Sequence, residues 1–361
     1  MPHLFVSISY HGFGHIAQTA AAVNALRAQW PALQLTIQCA APLALLENWF
    51  VGTFAHQRRA TDFGMLMHNA VDVNRADSLA AYRALHEDWH AQIEREAEQI
   101  AACRPDLVLA NISYLSLAAA DRAGIPAVGL CSLNWADILA GYCADLPEFA
   151  PIYQQMITAY NSARCFLRPT PGMLMAHLDN LRPIGPLARL GRDQRGLLKQ
   201  RLGLNENCRL ILVGLGGIPT ELSIDDWPQR DDLHWLIPDD WQTRHPKAAS
   251  FSRCGLTFID LLASCDALLT KPGYGSFAEA ACNSVPVLYV SRRDWPEEPY
   301  LVEWLHQHNR SLEISRAQLI RGDLLESFEE VSRLSKAPAP KPTGAAEAAA
   351  ILGHELLKRT K

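Results

Sequence analysis

The chain has 361 residues, 49% hydrophobic and 20% charged, which excludes a wholly disordered, collagen-like or coiled-coil protein and leaves room for two domains. Lysine and arginine total 33 against 38 aspartate and glutamate, a formal charge of −5 with no basic run to offset it, so neither nucleic acid nor an anionic membrane surface is expected as the main partner. Nine scattered cysteines, without a C-x-x-C pair, read as reduced thiols. The N-terminus runs from Met1 and Pro2 straight into Leu4-Phe5-Val6 with no export signal, and no apolar stretch is long enough to span a bilayer, so a cytoplasmic location is expected.

In chain order, residues 4–9 read as a buried strand, His11-Gly12-Phe13-Gly14-His15 as a glycine turn, and Ile16, Ala20, Val23, Leu26 and Trp30 as one helical face. Residues 33–37 form the next strand, and one long helix is expected through Leu79, Tyr82, Leu85, Trp89, Ile93 and Ile100. A strand at 106–110, a short helix at 118–124 and a strand at 125–130 complete the alternation. Short apolar strands alternating with helices predict an α/β fold with a parallel, doubly wound sheet. Pro183-Ile184-Gly185-Pro186 resists regular structure and divides an N-terminal domain, 1–184, from a second domain, 185–335. Strands at 210–213, 233–237, 267–270 and 287–290 would build the second sheet. In the last segment, 336–361, a proline-spaced linker over 336–342 precedes a strong helix former at 345–357, expected to pack back on the N-terminal domain.

The segment from Thr270 to Ala281, Thr-Lys-Pro-Gly-Tyr-Gly-Ser-Phe-Ala-Glu-Ala-Ala, follows an apolar strand and opens a helix. Its glycines admit close approach of a ligand, and free amides with the positive end of the helix dipole suit phosphate. Lys271 adds a full charge, and Glu279, one turn into the helix, is placed to accept from ribose hydroxyls. In the first loop, His15 at a helix N-terminus is biased to the neutral form and suits a general base, with His11 competing for the role and Gly12 and Gly14 shaping the turn. Gly216 and Gly217, after another strand, offer a weaker glycine loop. His86-Glu87-Asp88-Trp89-His90 matches the H-E-x-x-H zinc pattern, but Leu85, Trp89 and Ile93 already explain it as a packing face. No metal site is expected.

These residues resemble the donor site of GT-B glycosyltransferases. The run from Thr257 through Asp266 and on to Glu279 is similar to that of the N-acetylglucosaminyltransferase acting on the lipid precursor of peptidoglycan, and the loop ending in Glu279 to plant natural-product glucosyltransferases, where histidine stands in place of Lys271. Gly273-Tyr274-Gly275-Ser276 and the run from Arg292 to Leu301 resemble the N-terminal, glycosyltransferase-like part of plant L-arabinokinase. No kinase glycine–serine loop is present, so phosphoryl transfer is not expected. The resemblance implies two Rossmann-like domains facing across an active cleft, the N-terminal one for the acceptor. It implies that Phe258 and Ile259 line a base pocket, that Gly275, Ser276 and Phe277 offer amides to a diphosphate beside Gly273 and Lys271, and that Glu279 binds ribose. Glu297 and Glu298 fall where donor-sugar hydroxyls are bound, or else cap the next helix. The activity implied is metal-free, inverting transfer from an NDP-sugar, with UDP the favoured nucleotide, to an unidentified acceptor hydroxyl; no cofactor beyond that co-substrate is implied. A nucleotide-sugar hydrolase or epimerase, or a non-enzymatic sensor, remains the alternative.

Overall fold

The computed structural model describes residues 1–67, 73–215, 222–292 and 294–359. They form two compact units, the first built from Met1–Leu187, Trp295–Glu297 and the chain from Thr343 onward, the second from Ala188–Asp294 and Glu298–Pro342. The boundary falls at Leu187, three residues beyond the expected one.

Among the described residues the first unit holds seven strands: β1 (His3–Ile8), β2 (Gln34–Gln38), β3 (Ala55–Gln57), β4 (Leu107–Asn111), β5 (Ala127–Leu130), β6 (Cys165–Pro169) and β7 (Leu181–Ile184). Their order is β3-β2-β1-β4-β5-β6-β7, every pair parallel. The inner strands are short apolar runs because helices cover both faces of a parallel sheet. Pro183, expected to break structure, lies in β7; as an edge strand β7 tolerates a residue without an N–H. The expected long helix is two, Arg75–Glu87 and Trp89–Ala102, because Asp88 takes a non-helical backbone (φ −116°, ψ 45°). Aromatic packing favours the break: the rings of His86 and Trp89 stack at 4.6 Å, and both meet Tyr114. The C-terminal helix Gly344–Arg359 lies on the helix Phe13–Gln29, where Gly353 fits against Leu26 and Trp30. Glu347 Oε2 accepts from the Gly185 amide at 3.1 Å.

The second unit repeats the winding with β8 (Arg209–Gly214), β9 (Leu233–Ile237), β10 (Ala248–Ser250), β11 (Ala267–Thr270), β12 (Val287–Tyr289) and β13 (Ser311–Glu313). Their order is β10-β9-β8-β11-β12-β13, again all parallel. Trp227, Trp235 and Phe328 fill one side of this sheet with Ile211, Leu269 and Leu288. In each sheet the winding reverses once, at β1/β4 and at β8/β11. The carboxyl ends of those strands are where open α/β sheets place ligands.

Candidate functional site

In the first unit the chain leaves β1 through Gly12, whose φ of +101° suits glycine, and enters the helix Phe13–Gln29 two residues before His15. His15 is 8% exposed, and its Nδ1 lies 2.9 Å from Oδ1 of Asn111, the last residue of β4, which pairs in register with Ile8. A carboxamide oxygen only accepts, so Nδ1–H donates and Nε2 keeps its lone pair. Burial, reinforced by the neighbouring His11, lowers His15 to about 4, against the opposing effect of the Asn111 bond. Desolvation is thus the largest cause of the neutral form. His11 is half-buried, edge-on to Trp135 at 5.4 Å and stacked with Trp295 at 6.4 Å. Gly64 backs it, since a Cβ there would come within 2.9 Å of the His11 ring.

Three residues here were not anticipated: Asn111, Asp62 and Ser132. Asp62 is buried, accepts from Trp135 Nε1 at 3.2 Å, and is raised by burial to about 6. Glu297, expected among donor-sugar contacts, belongs to this first unit. It is buried and accepts from Ser132 Oγ at 2.7 Å and from Trp295 Nε1 at 3.3 Å. The H-E-x-x-H segment does not present two imidazoles on one face. His86 is buried, its ring bonded to Gln155 Oε1 and to the Tyr114 hydroxyl at 2.9 Å, while His90 is exposed beyond the break at Asp88.

In the second unit, β11 ends at Thr270, whose hydroxyl donates to the Gly214 carbonyl at 2.6 Å and so ties the two strands of the switch point together. Gly273 caps the helix Tyr274–Cys282. Gly275 and Ser276 precede the first intrahelical bond, so their amides point out of the helix end. The Phe277 amide does not: it donates to Gly273 O at 3.1 Å, and its buried ring packs on Tyr289, which corrects its expected role. Lys271 is half-buried and forms no ion pair among the described residues. Burial, with the charge of Arg292 after β12, lowers it to about 8. Phe258 opens the helix Phe258–Ser264 and lies against Phe251 and Gly214. Ile259 instead is buried, its carbonyl against Gly191.

Glu279 is 12% exposed at its side chain and paired with Arg189, Nε to Oε1 at 2.8 Å, a partner that sequence reasoning missed. Glu298 begins the helix Glu298–His308 and accepts from the Ser291 hydroxyl and from the Arg292 amide at 2.9 Å. It therefore closes its own loop, and it borders a cavity of about 420 Å³ with Tyr289, Ser291 and Glu313. Gly216 and Gly217 lie outside the described residues.

Two parallel, doubly wound sheets with the order 3-2-1-4-5-6 shared by both, each with candidate site residues at its switch point, give the GT-B fold of glycosyltransferases. The structure is similar to the calicheamicin glycosyltransferase CalG4, with a TM-score of 0.63 and 14% identity over 99% of this chain and 95% of that one. It is similar also to UGT89C1 of Arabidopsis thaliana, with a TM-score of 0.63 and 13% identity over 98% and 99% of the two chains. UGT89C1 has also been solved complexed with UDP, a structure this chain matches with a TM-score of 0.54. In sequence, the chain is 24% identical over 357 residues to L-arabinokinase of Arabidopsis thaliana, covering 98% of this chain and 34% of that protein, so it spans about a third of the curated relative it matches. No protein-family model matches. Among the described residues no helix is long and apolar enough to cross a membrane.

Proposed function

We propose that this chain is a glycosyltransferase that moves a sugar from an NDP-sugar, UDP-linked by preference, to an acceptor hydroxyl. The observation that carries the reading is the junction from Thr270 to Glu279. There an ammonium without an acidic partner among the described residues, two outward amides and a ribose-ready carboxylate gather at the switch point of the second sheet. A half-buried cation beside a second cation is unfavourable until an anion joins it, and a diphosphate supplies one. The UDP complex of UGT89C1, a protein of the same fold, supports the choice of nucleotide.

In the first unit His15 suits the base. With Nδ1–H held by Asn111, Nε2 takes the acceptor proton as the acceptor oxygen bonds to the anomeric carbon. The bond from that carbon to the diphosphate breaks on the opposite side, so the sugar is transferred with inversion. The charge left on the NDP is met by Lys271 and the helix amides, a stabilisation that calls for no metal ion.

Thermal-shift measurements against UDP-, dTDP- and GDP-sugars test the donor: at 100 times its dissociation constant a ligand stabilises by about 2.7 kcal/mol. UDP-sugars should shift the transition most, and NDP release should then depend on an added acceptor. No shift with any nucleotide sugar would overturn the reading; NDP and free sugar released at equal rates without acceptor would replace transfer by hydrolysis.

A further inference from the structure

The Arg189–Glu279 pair sits on the segment that enters the second unit. The backbone of that segment is fixed independently of the pair. Asn283 donates from Nδ2 to Arg189 O at 2.9 Å and accepts from the Gly191 amide at 2.9 Å, while Asp260 and Ser264 accept from the amides of Arg192 and Gln194. Gly191 itself lies so close to Ile259 that a Cβ would come within 2.1 Å of its carbonyl oxygen. The strap would stay in place without the ion pair, and the Arg189 side chain is 47% exposed, so the pair adds little to stability. What it does fix is the carboxylate. Guanidinium Nε holds Oε1 at 2.8 Å, and no other described side chain donates to the Glu279 carboxylate. A charge-assisted hydrogen bond to one carboxylate oxygen restricts the rotation of the group and leaves the second oxygen to other donors.

We infer that Arg189 is a positioning residue for ribose recognition, orienting the Glu279 carboxylate so that Oε2 accepts from the vicinal hydroxyls of a bound nucleotide. This rests on the donor-site reading above and adds to it a residue and a discrimination. A carboxylate free to rotate would lose much of its preference for a hydroxylated sugar, because the preference depends on preorganised geometry.

The test is calorimetric titration of the full chain with UDP and with its 2′,3′-dideoxy analogue. The wild type should bind UDP at least tenfold more tightly than the analogue, and Glu279→Ala should bind the two alike. Arg189→Ala should reduce the ratio to within about threefold, chiefly by weakening UDP, and Arg189→Lys should recover part of it. A merely structural arginine would move both affinities together and leave the ratio unchanged. If Glu279→Ala equalises the ligands while Arg189→Ala keeps the wild-type ratio, this inference fails and the donor site stands. Tighter UDP binding in Arg189→Ala would make the arginine a competitor of ribose and also overturn it. If Glu279→Ala leaves both affinities unchanged, the donor-site reading itself fails.

Discussion

Replacing His15 by glutamine tests its desolvation through stability, which needs no knowledge of the acceptor. The imidazole titrates at about 4 in the folded chain, against an ordinary value of 6.5. The folded value is the depressed one, so on acidification the unfolded chain takes up the proton first, and stability is lost as the pH falls from about 6.5 to about 4. With these two values, linkage makes the destabilisation negligible at pH 7 and on the order of 2–3 kcal/mol at pH 4.5. His15→Gln keeps a polar group beside Asn111 but does not titrate. The unfolding free energy of the variant relative to wild type should therefore improve by roughly 2–3 kcal/mol between pH 7 and pH 4.5. Urea unfolding followed by tryptophan fluorescence at the two pH values measures the difference. Other acid-sensitive groups cancel, including the buried His234, also lowered to about 4, because both proteins contain them. Stability curves that stay parallel across this range would refute the claim that His15 is held neutral by burial.

Lys271 loses its proton above about 8, so affinity for UDP should fall by about tenfold per pH unit beyond that point, and Lys271→Met should lack this limb while retaining uridine binding. A wild-type profile flat to pH 10 would contradict it. Gly129→Ala places a methyl 2.3 Å from the Phe166 ring, and overpacking of this kind should cost about 1–3 kcal/mol in urea unfolding, where an unchanged midpoint would show that the ring moves aside. His86→Ala strands the Tyr114 hydroxyl and Gln155, and should cost about 1–3 kcal/mol regardless of chelator. A loss that chelator reproduces in the wild type would instead restore the zinc motif.

Periodicity exposed the inner strands of both sheets other than β6, because they are buried on two faces and read as uninterrupted apolar runs. The outer strands β3, β7, β10 and β13 have only three or four residues, too few to show a period, and β6 carries a cysteine and an arginine inside its run. At the sites, glycine spacing located both loops after β1 and β11. It did not reveal Asn111 or Arg189, since each acts through a partner 96 or 90 positions away. Asn111 did leave a trace, a carboxamide closing an otherwise apolar strand, which a buried position justifies only if something is bonded there. Phe277 went wrong for a countable reason: the first intrahelical bond begins at its own amide.

The helix Gly344–Arg359 belongs to the unit whose strands end at Ile184, yet the whole of the second unit is encoded before it. From Ala188 to Thr343 the ribosome must add 156 residues before that helix begins to emerge, an interval of roughly 8 to 31 s at about 5–20 residues per second. Throughout that time the nascent first unit has Leu26 and Trp30 without the cover of Gly353, an apolar stripe open to chaperones or to other chains. Of these two units, the one whose synthesis begins first is therefore completed second.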